Sequence, residues 1–249
     1  MGKTPFYYPA VAFSSNKSDI VTCVSESLKQ DTIDVFDIKR ELEVLPNFID
    51  HKRYAGLDET CPTGTLADEN ERIITHVSNF RPVKRIEDII RVFYGIQKKI
   101  PSKLIMVGEG PEEASAERLV RKLGIQDKVR FTGRSNDVSK ILCLSDLFLL
   151  PSEKESFGLA ALEAMAAKTP VISSNTGGLS EVNTDGYSGY TCNVGNVEGM
   201  IERSIHILES EDRLKEFKKN AFLRSMDFDI EKIVPLYEEL YYKAIKLVN

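Results

Sequence analysis

The chain has 249 residues, 42% hydrophobic and 29% charged, the proportions of a globular protein with room for one large domain or one and a half ordinary ones. Its net charge of −5 leaves no basic footprint for nucleic acid or an anionic membrane. No apolar run nears the roughly 20 residues that span a bilayer, so no membrane-crossing helix is expected.

The start, MGKTPFYYPAV, lacks the charged head and apolar core of a signal peptide. Residues 5–15 are aromatic and read as helix, 19–24 (DIVTCV) as strand, 25–36 as helix with Ser25 as its cap, and 41–45 as strand ended by Pro46. Two strands are too few to bury a sheet of their own. Their edges near Val21 and Val44 are expected to stay unpaired, and a final helix over 229–248 to lack a docking face, so self-association into a homo-oligomer is expected. Residues 50–72, polar and carrying Gly56, Pro62 and Gly64, read as linker or surface insertion.

From Ile73 the alternation becomes regular. Strands are expected at 73–77, 103–107, 129–132, 146–150 and 170–173, with a short one near Tyr190. Helices are expected at 85–100, 112–123, 136–144, 157–167, 197–209 and 211–224. Strands separated by helices at this spacing predict an α/β fold, a Rossmann-like parallel sheet with helices on both faces.

The turns after these strands carry the chemistry. Ser78–Arg85 brings Arg81, Lys84 and Arg85 to a helix start, where backbone amides already favour an anion; solvated turn charges are an equal reading. Gly108-Glu109-Gly110-Pro111 allows a tight turn but is neither GxGxxG nor a Walker motif, and reads as structural. Gly133-Arg134 offers backbone to a base or an exposed cation to solvent. Glu155-Ser156-Phe157-Gly158-Leu159 opens a helix that is apolar on nearly every side except Glu163; that carboxylate must be paired or face a polar crevice. Thr176-Gly177-Gly178 borders the same edge. Five such turns on one sheet edge point to a ligand with phosphate charge and sugar hydroxyls.

Other motifs are set aside. Asp227-Phe228-Asp229 fits a metal-binding DxD, but Asp229 precedes the last helix and is read as its N-cap. His51, His76 and His206 show no metal-ligand spacing, and His76 is kept only as a crevice residue. Cys23, Cys61, Cys143 and Cys192 form no CxxC pair, so reduced thiols and a cytoplasmic location are expected.

Glu155 and Glu163, spaced EX7E in ESFGLAALEAMA, with Thr176-Gly177-Gly178-Leu179-Ser180-Glu181 behind them, resemble the retaining GT-B glycosyltransferases of family four; Ser180 stands where proline is common. HVSNFRPVKR, LLPSEKESFGLAALEAMA and VLPNFID are similar, more narrowly, to the members that open bacillithiol biosynthesis. The resemblance implies transfer of N-acetylglucosamine from UDP-N-acetylglucosamine to L-malate, releasing UDP, with retention at the anomeric carbon and no metal or other cofactor. It implies catalytic roles for Lys84 on the donor diphosphate and Glu155 on donor-sugar hydroxyls. Glu163 would take the ribose diol and the Phe157-Gly158-Leu159 backbone the phosphate and sugar. Gly133, Arg134 and Ser156 complete the donor site, together with Asn79 or Arg81. Many members carry arginine at the place of Asn79, and which of the two meets the diphosphate stays open.

By the same resemblance residues 1–46 are a remnant of an acceptor domain, 47–228 the donor-binding domain, and 229–249 a helix returning to the acceptor side. Most of a GT-B first domain has no counterpart here, so an N-terminally truncated chain that keeps donor binding and has little transfer activity alone is expected. Two alternatives remain: another family-four enzyme using polysaccharide or lipid acceptors, and a non-catalytic nucleotide-sugar-binding module.

Overall fold

The computed structural model describes residues 7–54, 66–68 and 70–248. The expectations placed on Pro5, Gly56, Cys61, Pro62 and Gly64 lie outside the described residues.

The core is a six-stranded parallel sheet of β3 (Arg72–Val77), β4 (Ser102–Val107), β5 (Val129–Gly133), β6 (Leu147–Leu150), β7 (Val171–Ser174) and β8 (Gly189–Cys192), in the order β5-β4-β3-β6-β7-β8. The strand that comes first in sequence therefore lies in the middle. The chain winds outward from it in one direction, then returns to its other side. In such sheets the crevice at the carboxyl ends of the two strands flanking the reversal, here β3 and β6, is where ligands bind.

Both faces are covered, which is why β6 reads as an unbroken apolar run with all four residues buried. On one face lie α3 (Ile86–Gln97), α4 (Glu113–Leu123) and α8 (Val197–Leu208). Ile86, Ile89, Ile90, Phe93 and Ile96 of α3 form a helical stripe, each at most 1% exposed, against Ile74, Leu104 and Leu147 of the sheet. On the other face α6 (Leu159–Ala166), the short α7 (Leu179–Val182) and Ala221 of α9 (Glu211–Ser225) pack on Phe148, Leu150 and Val171.

The N-terminal part holds α1 (Tyr8–Lys17), β1 (Val21–Cys23), α2 (Glu26–Val35) and β2 (Leu42–Val44). The expected unpaired strands pair with each other, in parallel, from Val21↔Leu42 to Cys23↔Val44. The last helix, α10 (Ile230–Val248), also finds a face: the Tyr237 hydroxyl donates to the carbonyls of Leu45 and Pro46, and Lys243 pairs with Glu43. Tyr241, Tyr242 and Ile245 remain exposed on it. Beside it the chain's second passage meets its first. Ile49 donates to the Phe228 carbonyl and accepts from the Ile230 amide, each at 2.9 Å.

Two further expectations change, and one short helix was not expected. The helix over 136–144 shrinks to α5 (Ser139–Leu142), because Ser135 and Asp137 make local side-chain bonds that compete with helical ones. Helix α7 carried no apolar periodicity long enough to be read. Cys23 and Cys192 are free and buried, but Cys143 is disulfide-bonded; linear spacing says nothing of which sulfurs meet in space.

Candidate functional site

The turns after β3 and β6 meet above the reversal point. The Ser78–Arg85 turn ends in a short 3-10 segment, Pro82–Lys84, and its Val83 carbonyl accepts from the Glu153 amide at 2.8 Å. This brings Lys84 onto Glu155, and their side chains form an ion pair with only 19% and 14% of each exposed. The Ser152 hydroxyl donates to the same carboxylate oxygen at 3.0 Å. Two residues 71 apart in sequence thus become one charged unit at the carboxyl edge of the sheet.

The loop after β6 is held by backbone fit. Gly177 has φ +56°, and a Cβ there would stand 1.8 Å from the Glu155 carbonyl oxygen; one on Gly178 would stand 2.5 Å from that of Ser156. The Gly178 amide donates to the Glu155 carbonyl at 3.0 Å. Only glycine permits this contact. Gly158 (φ +103°) then turns the chain into α6 and accepts at its carbonyl from the Ala161 and Leu162 amides at 2.9 and 3.1 Å, so the Leu159 and Ala160 amides stand at the helix start, just after Glu155 in the chain. Phe157 gives the site its backbone alone, since its ring is buried edge-on against Phe228. Ser156 and Leu159 are exposed at the rim.

Glu163 is half-buried one turn into α6. Burial raises its pKa, partly offset by the Arg53 guanidinium. The neighbouring Tyr54 phenol is pushed up to about 12, first by burial and then by the Glu163 charge. Arg53 and Tyr54 were not read as site residues: they come from the first crossover and reach Glu163 only through the fold.

Other assignments separate. Asn79 and Arg81 are exposed on the β3 turn. Arg85 turns away to bind Asp88 at 2.6 Å, so three cations do not converge. Gly133 and Arg134 sit at the β5 end, where the Gly133 carbonyl accepts from the Gly108 amide at 2.8 Å. Arg134, 80% exposed, pairs with Glu109 at 2.8 Å. His76 is no crevice residue. It is fully buried beneath the turn, its Nδ1–H donating to the Leu149 carbonyl while Nε2 accepts from the Ser78 hydroxyl. Burial holds its pKa at about 4, so it stays neutral.

Asp229 does act as a cap, accepting from the Glu231 amide at 2.8 Å, and Asp227 pairs with Arg224. Asp229 also meets His51 Nδ1 at 2.6 Å, while Nε2 meets Ser225 at 2.9 Å. This Ser-His-Asp set resembles a hydrolase triad. However, Ser225 is fully buried and its hydroxyl donates to the Phe222 carbonyl, so it clamps the two chain passages together. Among the described residues, no group of three acidic, His or Cys side chains is placed to hold a metal, and no helix is long and apolar enough to cross a membrane.

Comparisons with known proteins bear on this geometry. The family described as "Glycosyl transferases group 1" matches residues 59–224. An N-acetyl-alpha-D-glucosaminyl L-malate synthase from Bacillus anthracis is 38% identical over 99% of the chain, which spans 65% of that relative's length. Among solved structures, an Anabaena protein, HepE, in complex with UDP and glucose superposes with a TM-score of 0.86 at 20% identity, over 95% of the chain and 67% of its own. A glycosyltransferase from Rickettsia africae gives 0.82 at 20% identity, over 99% and 69%. At that identity these two likenesses speak for the fold alone.

Proposed function

Because the chain belongs to the group 1 glycosyl transferases, we propose that the crevice between β3 and β6 binds a UDP-sugar and serves a retaining transfer of N-acetylglucosamine from UDP-N-acetylglucosamine to L-malate. The single observation that carries the donor site is the Lys84–Glu155 pair beside the start of α6. A cation, a carboxylate and helix-start amides are the groups that a sugar diphosphate would call on. The likeness to the malate enzyme supports the choice of sugar and acceptor.

In this reading Lys84 and the α6 amides hold the diphosphate, aided by Arg81 or Asn79. Glu155, freed from Lys84, accepts from sugar hydroxyls, and Glu163 accepts from the ribose diol. Gly133 and Arg134 lie at the outer end and serve the base. The anomeric C–O bond to the diphosphate breaks as the malate oxygen bonds the same carbon from the same face. The malate proton passes to the departing phosphate oxygen. Charge then builds on the diphosphate, where fixed donors stabilise it as it forms. This scheme needs no protein nucleophile, and no metal or cofactor is assigned to it.

The reading divides the chain into acceptor-side segments 1–46 and 229–249 and a donor unit, 47–228, and includes a cytoplasmic location. Calorimetric titration tests it. UDP and UDP-N-acetylglucosamine should both release binding heat, and Lys84→Ala and Glu163→Ala should each weaken UDP. No heat with either ligand refutes the donor site. Turnover with a polysaccharide or lipid acceptor in place of malate refutes the acceptor assignment.

A further inference from the structure

Helix α2 begins at Ser25, whose backbone is extended and whose hydroxyl accepts from the Leu28 amide at 3.0 Å, an ordinary N-cap. The same hydroxyl donates to the Ser156 carbonyl, 131 residues away, at 2.7 Å. Ser25 itself is 1% exposed, so the donor side of this bond is buried. The next two amides of the helix are also satisfied from outside. Glu26 and Ser27 donate to the two carboxylate oxygens of Glu181 at 2.9 and 2.8 Å. A carboxylate on the positive end of a helix, with two charge-assisted bonds, is a strong cap, and here another part of the fold supplies it.

Glu181 is itself fixed. It lies on α7, directly behind Gly177 and Gly178, and its amide donates to the Gly178 carbonyl at 3.1 Å. Arg224 donates to the carbonyls of Glu181 and Val182. The elements therefore close a ring. Gly177 and Gly178 press on the backbone of Glu155 and Ser156, Ser156 is held by Ser25, and the helix that Ser25 opens is held by Glu181. Lys154 and Asp31 add a surface pair at 2.7 Å, too exposed to weigh much.

We propose that Glu181 is a positioning residue: by capping α2 from the far side of the interface, it locks the Glu155–Gly158 loop and makes donor binding depend on the N-terminal segment. The ligand-binding half of this inference rests on the donor-site reading above; the mechanical half does not.

The test is hydrogen exchange at single amides, with UDP titration on the same proteins. Glu181→Ala should speed exchange at Glu26 and Ser27 and also at Gly178, whose amide holds the Glu155 carbonyl. It should weaken UDP about fivefold, the size of one lost cap passed on to the ligand. Glu181→Gln, which keeps one acceptor oxygen, should fall between. Ser25→Ala should reproduce the effect from the other side of the ring. Asn196→Ala removes the cap of α8, which accepts from Gly199 at 3.0 Å, and should leave both readouts unchanged. Faster exchange confined to 26–28, with Gly178 and UDP affinity at wild-type values in both Glu181 variants, would overturn the proposal and leave Glu181 a helix cap only. If the wild-type chain binds no UDP, the donor reading fails, and the Gly178 exchange still decides the coupling.

Discussion

Lys84 and Glu155 invite a double-mutant cycle, because their charges pair with each other and both have little contact with water. Lys84→Met keeps the length of the side chain and removes its charge, leaving Glu155 with the Ser152 hydroxyl. Breaking a buried pair costs about 3–5 kcal/mol and an exposed one at most about 1. With four-fifths or more of each side chain covered, we expect about 2.5 kcal/mol for Lys84→Met, below the fully buried range. Glu155→Gln should cost about 1 kcal/mol, since Lys84 can swing toward solvent. The double variant, with no charge stranded, should cost about 1.5 kcal/mol, a coupling of about 2. Urea unfolding at pH 7, read as midpoint shifts at constant slope, measures all three. Costs that add within about 0.5 kcal/mol would refute the pair as an energetic unit. The same proteins test function. A phosphate must take Lys84 from Glu155, so Glu155→Gln should bind UDP at least as tightly as wild type yet gain nothing from the attached sugar. Lys84→Met should lose about tenfold or more in UDP affinity, the loss of one charged hydrogen bond.

Glu163 should make the chain less stable as pH rises. Its folded pKa lies above the usual 4.5, so the folded state holds the proton longer and stability falls as pH climbs from about 4.5 through the raised value. Glu163→Gln should therefore unfold at higher urea than wild type at pH 7 but not at pH 4, while binding UDP more weakly; equal midpoints at pH 7 would contradict the burial argument. His76 works in the opposite sense. Its folded pKa of about 4 lies below the usual 6.5, so the unfolded chain takes the proton first and stability is lost as pH falls between those values. His76→Gln should flatten that part of a melting-temperature profile. Gly177→Ala should cost about 1–2 kcal/mol from its left-handed backbone alone and more from the overlap with Glu155; a melting temperature equal to wild type would show that the loops can part. Light scattering should find a dimer at high concentration, formed through the exposed Tyr241, Tyr242 and Ile245, and Tyr242→Glu should return it to monomer.

Much of the six-stranded unit was legible because its elements are punctuated by their own chemistry. Pro151 ends β6, Gly124 closes α4, and the Ile stripe of α3 carries a clean helical period. The apolar run from Phe157 set Glu155 just before a helix start and Glu163 on the helix before any fold was known. What sequence could not supply was distance. Nothing along the chain says that Lys84 rests on Glu155, that Arg85 turns to Asp88, or that Arg53 and Tyr54 arrive beside Glu163. His76 was misplaced for a related reason: a polar residue at a strand's end faces either the crevice or the core, and two hydrogen bonds put it in the core. Glu181 passed as part of a glycine loop because its partners, the amides of Glu26 and Ser27, are backbone and leave no trace in residue type.

The two passages of chain stitched at Ile49 carry a topological consequence. Residues 50 and 228 leave the six-stranded unit side by side, so that unit is in effect an insertion whose ends already touch. Joining those ends with a short linker would reroute no strand and stretch no loop. The chain could then be opened at an exposed turn elsewhere, giving a circular permutant of the six-stranded unit with the same sheet order.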